Sequence, residues 1–199
     1  MLLVLDNVEQ LQGGVPPQAD FVELVLDILR HAPGVKLLVT SRQVLNLLDD
    51  WVVEVQGLAF PETAQAASPG EYAAVALFLQ RARRSSASFA SGEADLEAMA
   101  RICRLVEGTP LAIELAASWS RTLSPAEIAW EIEGSLDFLS ASSRDLPERH
   151  RSMRAVFDGS WQRLSAEEQQ VLARLSVFRG GFFRQEAEQV AGASLPILS

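Results

Sequence analysis

Cysteine, histidine and lysine are almost missing from these 199 residues: there is one Cys, at position 103, two His, and one Lys, at position 36. A lone thiol cannot close an intramolecular disulfide, and with two histidines it cannot build a cysteine-rich metal site. A reducing, cytoplasmic setting is therefore expected, with Cys103 packed as a small hydrophobe. Long apolar runs are missing as well. The longest clean stretch, Tyr72 to Leu79, falls far short of the ~20 residues that cross a membrane. The first residues, Met-Leu-Leu-Val-Leu-Asp, meet an acid at position 6, without the basic start and apolar core of a signal peptide. Positive charge is scarce: 26 acids outnumber 17 bases, for a net charge of −9. That balance disfavours adhesion to nucleic acid or to an anionic membrane. Residues 143–199 alone hold a slight basic excess, 8 against 7, so any basic surface must come from there. No repeat of 20–50 residues marks a solenoid.

What is present is a globular composition, 48% apolar and 22% charged, in a length that suits more than one folded unit. Leu2–Leu5 and Val35–Thr40 are short apolar runs without alternation, each ended by polar residues, Asp6-Asn7 and Ser41-Arg42. Such runs belong to parallel strands, which need a helical crossover. Phe21, Leu24, Val25, Ile28 and Leu29 supply one as a single helical stripe that stops at Pro33-Gly34. Trp51–Val55 is a third candidate strand, and Pro61 to Gly70 has the composition of a linker.

Beyond residue 70 the periodicity is helical. Val75, Phe78, Leu79 and Ala82 form one stripe, and Leu96, Met99, Cys103 and Val106 another. Ser124-Pro125-Ala126-Glu127 has the pattern of a capped helix start. A second hinge is expected at Ser140–Pro147. Helices follow around 148–163, 166–176 and 184–191, with Arg179-Gly180-Gly181 as a turn.

The first chemistry-bearing pattern is Leu-Leu-Val-Leu-Asp-Asn-Val-Glu at 2–9, an aspartate at the carboxyl end of a buried strand, where open parallel sheets place ligands. This is the arrangement of a Walker B element, whose acid reaches Mg²⁺ beside a nucleotide; an aspartate that merely caps a turn would look the same. Thr40-Ser41-Arg42 ends the second run at the same sheet edge. An arginine there can meet a terminal phosphate, or it can be a surface residue at a strand end. Glu107-Gly108-Thr109-Pro110 then leads into a helix, with Thr109 as cap and Pro110 in the first turn.

Residues 2–10, Leu-Leu-Val-Thr-Ser-Arg at 37–42 and Glu-Gly-Thr-Pro-Leu-Ala-Ile-Glu-Leu-Ala-Ala at 107–117 together resemble the STAND class of signalling ATPases. The similarity is strongest to bacterial regulators whose NB-ARC-like module precedes helical repeats. It extends through Arg149–Ala155, Ser160-Trp161 and Leu175–Phe182. The resemblance assigns Asp6 to Mg²⁺, Glu9 to the neighbourhood of the hydrolytic water, Arg42 to sensing the γ-phosphate, and Gly108 and Pro110 to the motif whose proline packs near adenine. Asn7 stands where many relatives carry a second acid, and it cannot act as a base. ATP or ADP with Mg²⁺ is thus implied for a full-length parent, and no cofactor for this chain alone, since no G-x-x-x-x-G-K-[ST] loop occurs in it.

The implied fold is an α/β remnant of a P-loop NTPase domain with parallel strands at 1–60, a helical domain at 66–142 and a partial winged-helix domain at 146–199, mostly α overall. The implied function is a fragment, beginning at the Walker B strand, of an ATP/ADP-controlled switch in a signalling or transcriptional regulator. Its partners would be an upstream P-loop segment and downstream helical repeats, with self-association through unpaired strands also open. Arg144, Arg149, His150, Arg151 and Arg154 form the one basic cluster. The favoured reading pairs these arginines with acids of the nucleotide-binding domain, so contact with DNA or a membrane is not expected. Two other functions fit parts of the chain: a helical interaction module without nucleotide, and a DNA-binding winged helix resting on the 144–154 cluster.

Overall fold

Leu2–Leu5 (β1) and Lys36–Val39 (β2) lie side by side in parallel, Leu3 opposite Leu37 and Leu5 opposite Val39. The crossover between them ends in helix α1, Gln18–His31. The protein is seen in a computed structural model that describes residues 1–8, 18–42, 44, 45, 47, 50–63, 68–86, 89, 92–140, 152–178, 181–194 and 197. It is mostly helical, with eight α-helices and one two-stranded parallel sheet among the described residues. The chain divides into two compact units, Met1–Val55 and Gln56–Ser199.

In the first unit α1 sets Phe21 and Val25 against Val8, Leu5, Leu37 and Val39. Only one face of the sheet is covered, because β1 and β2 each alternate exposed and half-buried residues. That alternation corrects two expectations. Leu24 and Leu29, placed on the buried stripe of α1, are exposed, since two short strands offer too narrow a surface for the whole stripe. Trp51–Val55 is not a strand: it has no ladder partner among the described residues, and Trp51 is 97% and Val55 90% exposed.

The second unit begins with an extended segment that packs onto helices. Helices α2 (Ala73–Ser85), α3 (Glu93–Leu105), α4 (Pro110–Ser118) and α5 (Pro125–Gly134) share one core. The expected stripes are its substance: Val75, Phe78 and Ala82 from α2, Met99 and Cys103 from α3, with Val106 just beyond, all buried. Burying a side chain such as Phe78 is worth roughly 1.5–3 kcal/mol, so this cluster holds the four helices together. Ser124 caps α5, accepting from the Glu127 amide as Glu127 accepts from Ser124 N–H. Pro61, expected in a linker, is buried.

Helices α6 (Met153–Trp161), α7 (Ala166–Leu175) and α8 (Arg184–Ala191) follow. A separate small cluster joins α7 to α8 through Val171, Leu175, Ala187 and Ala191. Leu139 and Ser140 meet Ser152 and Met153 through a short antiparallel bridge, with Met153 N–H on Leu139 O at 3.1 Å. Beside it Arg154 grips the Asp137 carboxylate bidentately.

Candidate functional site

The carboxyl ends of β1 and β2 converge because the ladder continues past both strands: Thr40 N–H donates to Leu5 O at 3.0 Å, and Val8 N–H to Thr40 O at 3.1 Å. This brings Thr40 against Asp6. The Thr40 hydroxyl donates to an Asp6 carboxylate oxygen and accepts the Asn7 N–H at 2.9 Å, so one side chain ties both residues after β1. Asn7 sits at φ 59°, a left-handed conformation that asparagine tolerates better than most residues and that turns the chain sharply away from the strand. Asp6 is left exposed at the sheet edge, with Arg42 exposed two residues beyond Thr40. Sequence reasoning set the Thr40 triplet at the same edge but gave Thr40 no part in holding Asp6; the only available signal was a hydroxyl at the equivalent strand end. Glu9, assigned beside the hydrolytic water, lies outside the described residues.

Such an edge offers one carboxylate, oriented by a hydroxyl. That suits a hard cation that keeps most of its waters, as Mg²⁺ does, and no group of three or more metal-ligating side chains occurs among the described residues. Among the described residues, neither strand end provides the run of backbone amides that cradles phosphates.

Gly108 and Pro110 belong to the second unit. Helix α3 stops there because Glu107 (φ 49°) and Gly108 (φ 65°) are both left-handed, and Gly108 N–H returns to Cys103 O at 3.0 Å. Pro110 opens α4 at its first turn, as expected, whereas Thr109 occupies the cap position without a side-chain capping bond. Gly108 is required for a further reason. Leu58 N–H donates to Gly108 O at 2.9 Å, and a Cβ on Gly108 would lie 2.1 Å from Leu58 O. Gly57 answers it, since a Cβ there would lie 2.6 Å from Glu107 O. The two glycines let residues 56–60 lie backbone to backbone on the α3–α4 turn, and Arg104 holds the continuation by donating to Pro61 O and Thr63 O at 3.4 and 3.3 Å. An open groove of about 570 Å³ runs between residues 56–60, Glu62, Arg104 and Glu107. Gly57 had not been singled out in the sequence.

In the basic cluster, Arg144, Arg149, His150 and Arg151 lie outside the described residues. Arg154 corrects the favoured reading: its partner is Asp137, within the second unit, and not an acid of residues 1–60. This pair holds Asp137 below the ordinary carboxylate range, chiefly through the Arg154 hydrogen bond.

No protein-family model and no solved structure matches the chain. It is 32% identical over 194 residues to the "Putative HTH-type transcriptional regulator Rv0890c" of Mycobacterium tuberculosis H37Rv, covering 98% of this chain and 20% of that protein. The Mycobacterium bovis counterpart, Mb0914c, matches equally. A second M. tuberculosis protein, Rv0894, whose name carries no activity, is 31% identical over 191 residues, 96% of this chain and 44% of its own length. The chain thus spans about a fifth of the regulators it matches and less than half of Rv0894. No helix among the described residues is long and apolar enough to cross a membrane.

Proposed function

We propose that this chain is the Walker B-to-helical portion of a nucleotide-controlled switch of the STAND class, acting within a transcriptional regulator. The observation that carries the reading is the Thr40–Asp6 contact, which presents an oriented carboxylate at the carboxyl end of a parallel sheet beside Arg42. The name of the mycobacterial relatives supports the regulatory half of the proposal. In this reading 1–60 is a P-loop NTPase remnant, 66–142 the helical domain and 146–199 part of a winged helix. In the larger protein the chemistry supplied by a bound Mg²⁺ would be neutralisation of phosphate charge. Asp6 would hold it directly or through water, Thr40 would fix the carboxylate and Arg42 would meet the γ-phosphate.

Titration calorimetry with Mg-ATP tests the first half: the 199-residue chain is expected to show no binding at micromolar concentration, because it contains no phosphate-cradling loop. In a longer protein that carries such a loop, Arg42→Ala should lower the preference for ATP over ADP and leave ADP affinity nearly unchanged. A charge-assisted contact worth roughly 1.5–3 kcal/mol converts to about tenfold to more than a hundredfold in that ratio. Equal losses for both nucleotides would refute the sensor role.

A further inference from the structure

The register that sets Leu5 opposite Val39 puts Asp6 opposite Thr40, so these two side chains leave the sheet on the same face. In a regular parallel ladder a residue donates to the carbonyl just before its opposite number and accepts from the amide just after it. Thr40 keeps the first half of that pattern, with its N–H on Leu5 O at 3.0 Å. The second half is displaced by one residue: the amide that reaches Thr40 O, at 3.1 Å, is that of Val8 and not that of Asn7. Asn7 is thus one residue more than the ladder needs, a bulge, and its own N–H goes to the Thr40 hydroxyl at 2.9 Å. Successive amides of an extended strand point to opposite edges. Those of Asn7 and Val8 converge on a single residue because Asn7 is left-handed, at φ 59°. Beyond the bulge Val8 anchors the chain, buried against Phe21 and Val25. The Thr40 hydroxyl, once it accepts the Asn7 N–H, is fixed about its C–O bond, and its one proton falls on the Asp6 carboxylate.

We propose that Asn7 is the positioning residue of this strand-end site: its left-handed backbone, and not its side chain, inserts the bulge that turns the Thr40 hydroxyl onto Asp6 and so aims the carboxylate. Bulges recur beside functional sites because one extra residue re-aims a side chain without disturbing the strand before it. The inference rests on the reading of Asp6 as the carboxylate presented to Mg²⁺, and adds to it a residue that acts only through Asp6. Position 7 therefore accepts residues by their tolerance of φ near +60°. Glycine adopts it freely and asparagine with little cost, whereas a β-branched residue is a steric outlier there.

Nuclear magnetic resonance of the 199-residue chain tests this without nucleotide. The Hα–Hβ couplings of Asp6 should report one staggered rotamer in the native chain and in Asn7→Gly, and a rotamer average in Asn7→Val. In Asn7→Val the Val8 amide should exchange about fivefold to thirtyfold faster, the cost of a left-handed non-glycine residue, while the Val25 amide of α1 keeps its rate. A merely structural role would move both amides together and leave the Asp6 rotamer as it is. If valine unfolds the first unit, seen as loss of Val25 protection, Asn7→Ala carries a left-handed cost without the branch and is read in its place. Averaged Asp6 couplings in the native chain overturn the proposal. So does their averaging in Asn7→Gly, which would give the role to the asparagine side chain, or a single Asp6 rotamer that survives Asn7→Val. The nucleotide reading is tested apart from this: in a longer protein that carries a phosphate loop, Asp6→Asn should erase the Mg²⁺ dependence of ATP affinity. Persistence of that dependence, with the couplings as stated, overturns the nucleotide reading and upholds the backbone role of Asn7.

Discussion

Leu58 and Gly108 are joined backbone to backbone: the Leu58 N–H donates to Gly108 O at 2.9 Å while the Leu58 carbonyl occupies the space where a Gly108 side chain would begin. Segment 56–60 and the α3–α4 turn therefore depend on one missing Cβ. Gly108→Ala should cost about 2–4 kcal/mol, combining left-handed backbone strain with displacement of packed backbone. Gly134→Ala is the control, because a Cβ there meets nothing within 4 Å and its helical position favours alanine. Urea unfolding followed by helical signal should show a loss for the first variant, and no loss or a slight gain for the second.

Thr40→Val removes the hydroxyl that joins Asp6 to Asn7 and keeps the side-chain shape. With the site exposed, the loss should be modest, about 0.5–1.5 kcal/mol, and confined to the first unit. The Asn7 amide reports it, since exchange there should quicken by up to about tenfold while amides of α3 and α4 do not change. Equal quickening in both units would show that Thr40 acts on global stability instead.

Cys103 lies in the centre of the helical core, where burial pushes its thiol up to about 12, slightly opposed by the charge of Arg104. The thiolate is the reactive form. A disulfide reagent such as DTNB at pH 8 should therefore label the folded chain roughly a hundredfold more slowly than the unfolded chain. Labelling at the unfolded rate would place Cys103 outside the core.

Glu127 closes the capping box of α5. The Ser124 backbone N–H and hydroxyl, both 2.7 Å from its Oε2, hold its carboxyl below the ordinary 4.5. A lowered folded value means the charged form stabilises the fold; that contribution is complete above the unfolded value and is lost as pH falls through the folded one. The difference in Tm between the native chain and Glu127→Gln should thus be full above about pH 5 and shrink steadily below about pH 4. A difference that grows on acidification would reverse the assignment.

Local pattern determined much of this protein. The spacing of Val75, Phe78, Met99 and Cys103 defined the faces of α2 and α3, Ser124 and Glu127 marked the start of α5, and polar residues after two apolar runs marked the strand ends. These features depend on residues within a turn or two of one another, so they are legible without knowing where the chain travels next. What only the tertiary structure decided is which distant backbone each segment meets. Trp51–Val55 has every propensity of a strand, yet a strand exists only with a partner, and β2 meets none of these residues within the chain. Gly57 and Gly108 are ordinary glycines in sequence, 51 positions apart; their shared role appears only when two stretches of main chain are laid in contact. Thr40 likewise becomes the partner of Asp6 through a parallel register 34 residues long, and Arg154 finds Asp137 through the bridge between Ser140 and Ser152. Periodicity and caps are set by short-range sterics and hydrogen bonding, whereas backbone pairing is set by where the core brings the chain back.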